Sequence, residues 1–458
     1  MATIVTASRA TALAAAARDL GLLDAQGHPL WARLAAPWKR VLVVPASADP
    51  ACPTDALLWH HQAAELYRAL DLLADCVGGA RDRLEIAWPA GVAALLEPAD
   101  LRRAIPGANL LTLPDRYPAA ATEHVWLARM GHAFPGAVEA AEAGVLLLDT
   151  IALWQLGWHA YDRLPTPRLL VRTDATGHGR AWLAPLGSPL GPLLELNSGE
   201  TAWAGGALAG RRLQTTDVLT PDVHWVQLLP AGHPAHRHRD LPVDVALRRA
   251  LSSCGTCTAC TDWCPSADVP ASGGAIAPPD AATGLVPHRL VRMAAYGQEG
   301  PAEILLGARH CGACGICSVT ACPADVHPAS ILVALREGLV AGGVARSASP
   351  TESSSRLVGP MEGPSAHHFR LSEDALLTRL GTARPQLPPT PVAHLPSRVR
   401  LPLILEGGLP LSPLWPEGGH VKAGQPVAAA PQDRGGVRLL APIAGRLSWS
   451  PGHLEVHA

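Results

Sequence analysis

CGTCTACTDWCP, residues 254–265, sets four cysteines within eleven positions and follows the last with a proline. A second run, CGACGICSVTACP, occupies residues 311–323. The first reads C-x2-C-x2-C-x3-C-P and the second C-x2-C-x2-C-x4-C-P. Paired runs of this kind are the signature of two cubane [4Fe–4S] clusters. Three cysteines at two-residue gaps can curl round one cube, while the fourth points away and ligates the neighbouring cube. The spacing therefore assigns Cys254, Cys257, Cys260 and Cys322 to one cluster, and Cys311, Cys314, Cys317 and Cys264 to the other. Gly255, Thr256, Ala259, Gly312, Ala313 and Gly315 lie between the ligands, and small residues let backbone N–H groups approach cluster sulfurs. Pro265 and Pro323 close the runs. Zinc is the alternative, since zinc ribbons also use paired C-x-x-C steps. They take two thiolates from each of two knuckles, and seldom three at consecutive two-residue gaps.

Outward from the second run, HPASILVALREGLVAGG has the marks of a helix. Pro328 sits at its first turn, Ile331, Leu335 and Leu339 share one face, and Gly342 or Gly343 stops it. Such a helix would shield a cluster from water. The two cysteines outside the runs, Cys52 and Cys76, read as ordinary small apolar residues. Clustered rather than scattered thiols point to a reducing compartment, the cytoplasm, with the sulfurs reserved for metal.

The chain has 458 residues, 48% of them hydrophobic, which implies several domains. No apolar run is long enough for a membrane span. The alanine-rich N-terminus is interrupted by Arg9, Arg18 and Asp19 and reads as helix rather than as a secretory leader. A net charge of −2 and the lack of a basic stripe argue against a nucleic-acid partner.

Over the first 165 residues strands alternate with helices, giving an α/β domain with a mostly parallel sheet. Strands are predicted at 39–46, 83–88, 109–113 and 144–150, and helices over 56–79 and 99–105. A β-grasp-like module with Gly/Pro turns spans 166–240, beginning with the strand RLLVRT (168–173). The cysteine-rich domain runs from 241 to 343. Residues 344–397 form a Ser/Pro/Gly-rich linker with one short helix at 370–381, followed by the extended LPPTPVAHLP. Short strands with glycine turns make 398–458 a small barrel-sandwich β-domain. Within GHPAHRHRD (232–240), His233, His236 and His238 read as a solvated loop, because no carboxylate or cysteine completes a metal site.

PHRLVRMAAYG (287–297) and LLGARHCGACGICSVTACPADVHPASILVALREGL (305–339) resemble the family of the Rnf electron-transport complex C subunit and the propanediol-utilisation cobalamin reductases, RnfC/PduS-like, including the longer x4 gap. RYPAAATEH (116–124) is similar to the family's Y-P-x-G-x-E stretch at Tyr117, Pro118 and Glu123. AGGALAG (204–210) matches its G-G-P-M-M-G at Gly205, Gly206 and Gly210, and residues 168–194 look like its SLBB-type segment. The resemblance implies an N-terminal domain related to the 51-kDa subunit of complex I, which binds FMN and NADH. It also implies a redox partner protein or a membrane electron-transport complex as partner, and a place in the cytoplasm or peripheral to the inner membrane.

The flavin part of that pattern is degenerate here. Where the family has a glycine-rich phosphate loop, LLDAQGHPLWARL (22–34) offers only Gly27. Its acidic stretch is reduced to Asp49 and Asp55, and its N-V-x-T asparagine is replaced within Leu147-Leu148-Asp149-Thr150. A phosphate cradle needs converging backbone N–H groups. The C-terminal domain resembles a lipoyl or biotinyl hammerhead, but its turn, PQDRGG, lacks the lysine of a carrier. The expected function is one-at-a-time electron relay through two clusters, as an oxidoreductase subunit or electron carrier. The rivals are a complete NADH-oxidising FMN/Fe–S enzyme and an assembly subunit whose clusters are structural.

Overall fold

The computed structural model describes residues 2–25, 27–34, 36–96, 99–130, 140–141, 143–160, 165–236, 241–255, 257–267, 285–297, 302–344, 371–405, 409–431, 437–450 and 452–458. The Ser/Pro/Gly-rich stretch 345–368, His238, Thr256 and residues 432–436 of the PQDRGG turn lie outside them.

Four strands build the first sheet: β1 (Arg40–Val44), β2 (Leu84–Trp88), β3 (Asn109–Thr112) and β4 (Val145–Asp149). All pairings are parallel, in the order β3-β2-β1-β4. The register places Val41 beside Leu84 and Leu146, and Val43 beside Ile86 and Leu148. Apolar, partly β-branched runs form these strands because helices cover both faces of a parallel sheet. The helices Ala2–Asp19, Ala63–Cys76 and Thr150–His159 bury leucine and tryptophan side chains against one face. The helix predicted over 56–79 is two helices, Thr54–His61 and Ala63–Cys76, parted at Gln62. Beyond the break, Ala63–Cys76 passes so close to Thr150–His159 that a Cβ on Gly157 would come 1.8 Å from the Glu65 carbonyl oxygen. Cys76 is a buried helix residue of this core, and the Cys52 thiol donates to Thr54 Oγ1.

The second sheet holds β5 (Arg168–Asp174), β6 (Gly179–Ala184), β7 (Thr201–Ala204), β8 (Arg211–Leu213), β9 (Trp225–Leu229) and β10 (Val392–Ala393). Its order is β10-β6-β5-β9-β7-β8, with β5 parallel to β9 and antiparallel to β6. Leu170, Leu193, Leu194 and Val226 form its core. The strand β10 comes from LPPTPVAHLP: this stretch is extended, as its prolines require, but it is strapped to the edge of β6 instead of running free. Among the described residues from 398 onward the regular elements are all strands. Arg398–Pro402, His453–His457, Gly445–Ser450 and His420–Val421 form a four-stranded sheet, and Ser412–Pro413, Pro426–Ala429 and Arg438–Leu440 a three-stranded one. Val399, Leu401, Leu447 and Leu454 join the core of the first sheet.

The cysteine-rich region is helical, with Val243–Ser253, Pro287–Tyr296 and Pro328–Ala341 packed together through Ala246, Ala250, Val291 and Ile331. Among the described residues no helix is long and apolar enough to cross a membrane.

Candidate metal centre

Two loops carry the clustered thiols. In the first run Cys260 lies on the short helical turn Ala259–Asp262, and the Cys264 N–H bonds back to the Thr261 carbonyl. In the second run the longer gap is taken up by a π-helical turn, Cys317–Ala321, in which the Cys322 N–H donates to the Cys317 carbonyl at 3.1 Å. A π turn holds one residue more than an α turn, so the extra residue of the x4 gap is absorbed locally. Ala313 (φ 56°) and Gly315 (φ 75°) bend the second loop through the left-handed region.

In the folded loops the thiols of the two runs bear electrostatically on one another. Besides burial, which pushes the Cys260 thiol up to about 12, the charges bearing on it come from Cys322, Cys254 and Cys257. Burial raises the Cys264 thiol well above its ordinary range, and the charges of Cys314 and Cys311 raise it as well. Cys317 is raised by burial, then by Cys314, Cys311, Cys264 and Cys260, so it stands where the two runs meet. Crowded, buried thiolates repel one another, and a cationic centre is what would hold them ionised. Among the described residues no three His, Cys, Asp or Glu side chains are gathered so as to hold a single metal ion. A cluster of four irons instead takes four separate thiolates. The donor set fits that group.

Other parts of the chain fasten the loops. Val326 N–H points at Cys322 Sγ at 3.4 Å. The Arg336 guanidinium donates to the Cys311 carbonyl at 2.7 Å, and Ser318 Oγ accepts from Ala329 N–H at 2.9 Å. Thr261 Oγ1 accepts from His288 N–H at 3.0 Å. Leu285, Leu290, Ala308 and Leu332 surround Cys260, Cys311 and Cys317, which keeps water away from this side. Cys257, by contrast, is exposed. The second loop docks into a junction core of Ile316, Tyr117, Trp203, Leu208, Leu371 and Leu376, drawn from the first sheet's loops, the second sheet's module and the helix Glu373–Leu380. Tyr117 is named by the sequence resemblance, but its contact with the cysteine loop has no local sequence signal; nor has that of Arg336.

The crevice that the first sheet offers a cofactor lies elsewhere. In open α/β sheets ligands bind beyond the carboxyl ends of the strands, where the strand order reverses. Here β1 has β2 on one side and β4 on the other, so that place is the loop after Val44. It is filled by the protein itself. The Asp55 carboxylate accepts from Ala46 N–H at 3.1 Å, Thr150 Oγ1 donates to the Val44 carbonyl at 3.1 Å, and Asp149 caps its helix at Ala152 N–H. Beside that place, beyond the ends of β1 and β2, is a cavity of about 30 Å³, lined by Asp49, Asp55, Gly91, Ala120, Glu373 and Arg384 among others. That is room for about one water, against roughly 300–1,000 Å³ for a small-molecule pocket. Burial pushes the Asp49 carboxyl up to about 7 and that of Asp55 to about 6. The lone glycine of 22–34, Gly27, has φ +88° and nothing within 4 Å of its Cβ position. Among the described residues an FMN phosphate would meet acids and no nest of N–H donors, so these residues do not fit a flavin.

His233 and His236 belong to a turn. The His233 ring meets the Gly381 carbonyl at 3.0 Å, and the His236 ring lies 3.3 Å from Thr201 Oγ1.

The family model of the 4Fe-4S dicluster domain matches residues 253–327, a stretch that holds all eight clustered cysteines. Cobalamin reductase PduS of Salmonella typhimurium is 29% identical over 321 residues, covering 67% of this chain and 66% of that protein, just under two thirds of it. Cobalamin reductase PduS of Citrobacter freundii is 27% identical over 442 residues, covering 92% of this chain and 90% of that protein. These matches bear out the PduS-like resemblance and a ferredoxin-type iron–sulfur domain with an electron-transfer role. Two crystal structures of NAD+-reducing [NiFe]-hydrogenase are also similar, each at 15% identity. The air-oxidized state covers 81% of this chain and 66% of that chain at a TM-score of 0.42, and the H2-reduced state 78% and 70% at 0.43. Likeness at that level is too slight to support an argument.

Proposed function

We propose that the chain carries two [4Fe–4S] clusters and relays electrons one at a time between a donor and a partner redox protein or complex. The observation that carries this reading is the grouping of the thiols. Cys260 feels Cys322, Cys254 and Cys257, while Cys264 feels Cys314 and Cys311. This pattern supports a pairing in which three sulfurs of each run share a cluster with the last sulfur of the other. Cys254, Cys257, Cys260 and Cys322 would hold one cluster, and Cys311, Cys314, Cys317 and Cys264 the other. Bound there, such clusters supply one-electron carriers whose potential follows burial and hydrogen bonding.

The protein groups around them have separable tasks. Val326 N–H points at the Cys322 sulfur, while Arg336 and Tyr117 hold the loop carbonyls of Cys311 and Cys314. Leu285, Leu290 and Leu332 exclude water from the inner thiols. The exposed Cys257 marks the side from which a partner can come close.

The remaining parts read as scaffold. Residues 1–165 are a 51-kDa-like α/β domain with a degenerate cofactor site, 166–240 an SLBB-like module, and 398–458 a barrel-sandwich domain. Residues 241–343 hold the clusters, and 344–397 connect them to the C-terminal domain. The relatives' name, cobalamin reductase, supports a corrinoid enzyme as partner, and the sequence resemblance to the Rnf complex C subunit supports a membrane electron-transport complex, met in the cytoplasm or at the inner membrane.

Anaerobic purification with iron and sulfide analysis, followed by EPR of the dithionite-reduced sample, tests the reading. About eight irons per chain and a reducible signal are expected. Zinc in place of iron, or clusters that dithionite leaves unchanged, would overturn it.

A further inference from the structure

Residues 371–388 cross the molecule as a strap, and each end is fastened. The Tyr117 N–H donates to the Leu371 carbonyl at 2.9 Å, and the Glu373 N–H points at Asp115 Oδ1 at 3.4 Å. Ser372 Oγ caps the helix Glu373–Leu380 through Ala375 N–H, and Gly381 ends it in the left-handed region. The strap then pairs with the β5–β6 turn, through Ala383 N–H to the Ala175 carbonyl and Gln386 N–H to the Gly177 carbonyl, both at 2.9 Å. The His61 ring meets the Pro388 carbonyl at 3.1 Å.

The middle of the strap lies in the crevice beyond β1 and β2. Arg384 Nη1 donates to Glu373 Oε2 at 3.0 Å, and its Nη2 donates to Asp374 Oδ1 at 2.8 Å. Both Glu373 and Arg384 line the residual cavity, and a Cβ on Gly91 across from them would come 3.4 Å from each side chain. Beneath them Asp49 is buried, with Oδ2 unbonded among the described residues. The crevice is thus closed by an ion pair that belongs to the chain and is anchored on two sheets.

We infer that the Glu373–Arg384 plug stands in the place of a flavin, and that the chain takes its electrons from a one-electron donor, of the class of a reduced iron–sulfur protein, rather than from a nicotinamide hydride. The second half rests on the two-cluster reading above. Electron balance supplies the link. Oxidation of NADH to NAD+ and H+ releases two electrons as a hydride, whereas each cluster takes one. A group that accepts the pair and returns electrons singly is needed between them, and the crevice has no room for it. A one-electron donor, itself oxidised by one electron as one cluster is reduced, needs no such group.

The test uses the full chain, purified anaerobically, with iron and sulfide measured first. FMN fluorescence is followed as protein is added. Cluster absorbance is then followed after reduced methyl viologen, and separately after NADH with excess FMN. Bleaching by viologen, unchanged FMN fluorescence and no bleaching by NADH beyond the protein-free mixture are the expected results. Saturable quenching of FMN, NADH-dependent bleaching, or failure of viologen to reduce the clusters would each overturn the inference. An iron-free preparation would instead sink the two-cluster reading, and with it the one-electron donor, while the FMN titration on that sample would still decide the crevice.

Discussion

The Tyr117 hydroxyl donates to the Cys314 carbonyl oxygen at 2.7 Å, joining residues 197 positions apart. Tyr117 is buried in the junction core between the first sheet's loops and the second cysteine loop. Next to it, a Cβ on Gly315 would lie 3.5 Å from Leu208, so the loop is seated against both modules. The phenol orients the positive end of its O–H dipole toward the loop of Cys311, Cys314 and Cys317.

Removing that dipole should disfavour the reduced, more negative state of the nearby cluster. Tyr117→Phe is expected to move one of two midpoint potentials more negative by about 30–60 mV, a factor of roughly three to ten in the redox equilibrium. EPR-monitored potentiometry reads the shift. A uniform loss of both signals, or none at all, would contradict the assignment.

Cys322→Ser and Cys264→Ser separate interlocked ligation from ligation within each run. With the last sulfurs exchanged, Cys322→Ser should perturb the signal tied to Cys254, Cys257 and Cys260 and spare the other, and Cys264→Ser should do the reverse. EPR of each variant, compared with the Cys257→Ser and Cys314→Ser signals, tells which cluster each sulfur serves.

Gly206 matches the resemblance at AGGALAG, and the fold shows what the missing side chain avoids. At φ +75° its Cβ would come 2.3 Å from Trp225 Cη2 and 2.9 Å from Asp49 Oδ2. The indole is buried and held by its Nε1–H donation to Thr173 Oγ1 at 3.0 Å, so it cannot give way. Gly206→Ala should cost about 3 kcal/mol or more, combining left-handed strain with overpacking. Chemical denaturation beside a Gly232→Ala control measures it, since that glycine has φ +76° and nothing within 4 Å of its Cβ position.

Asp49 supplies a pH dependence with a definite sign. Burial raises its carboxyl from 3.8 to about 7, so the folded chain keeps a proton that the unfolded chain releases above pH 3.8. The native state binds more protons in that window, and stability falls as pH rises through it, with the penalty complete above about pH 7. Asp49→Asn keeps an acceptor for Ala51 N–H and removes the titration. Its stabilising effect should be about 2–3 kcal/mol larger near pH 8 than near pH 5. Thermal unfolding of both proteins at the two pH values checks this, and a gap that does not grow with pH would refute it.

The sequence by itself determined the local parts: cysteine runs at ligand spacing, the apolar strands read at 39–46 and 144–150, and the Pro328 helix with its glycine stop. Each is written within a dozen residues, because ligand gaps, strand burial and helix caps are short-range physics. Only the tertiary structure decided which distant groups meet. Spacing offered no sign that Tyr117 would reach Cys314, or that Arg336 would reach Cys311. Composition marked 387–396 as a linker, and it is extended, but the partner strand β6 was needed to hold its end as β10. The plug of Glu373 and Arg384 is likewise a long-range event. The sequence tells that glycines for a phosphate cradle are missing after Leu22, but what fills the crevice instead depends on a helix more than three hundred residues later. Loop closure over such distances is paid once, by the whole fold, so no local pattern records it.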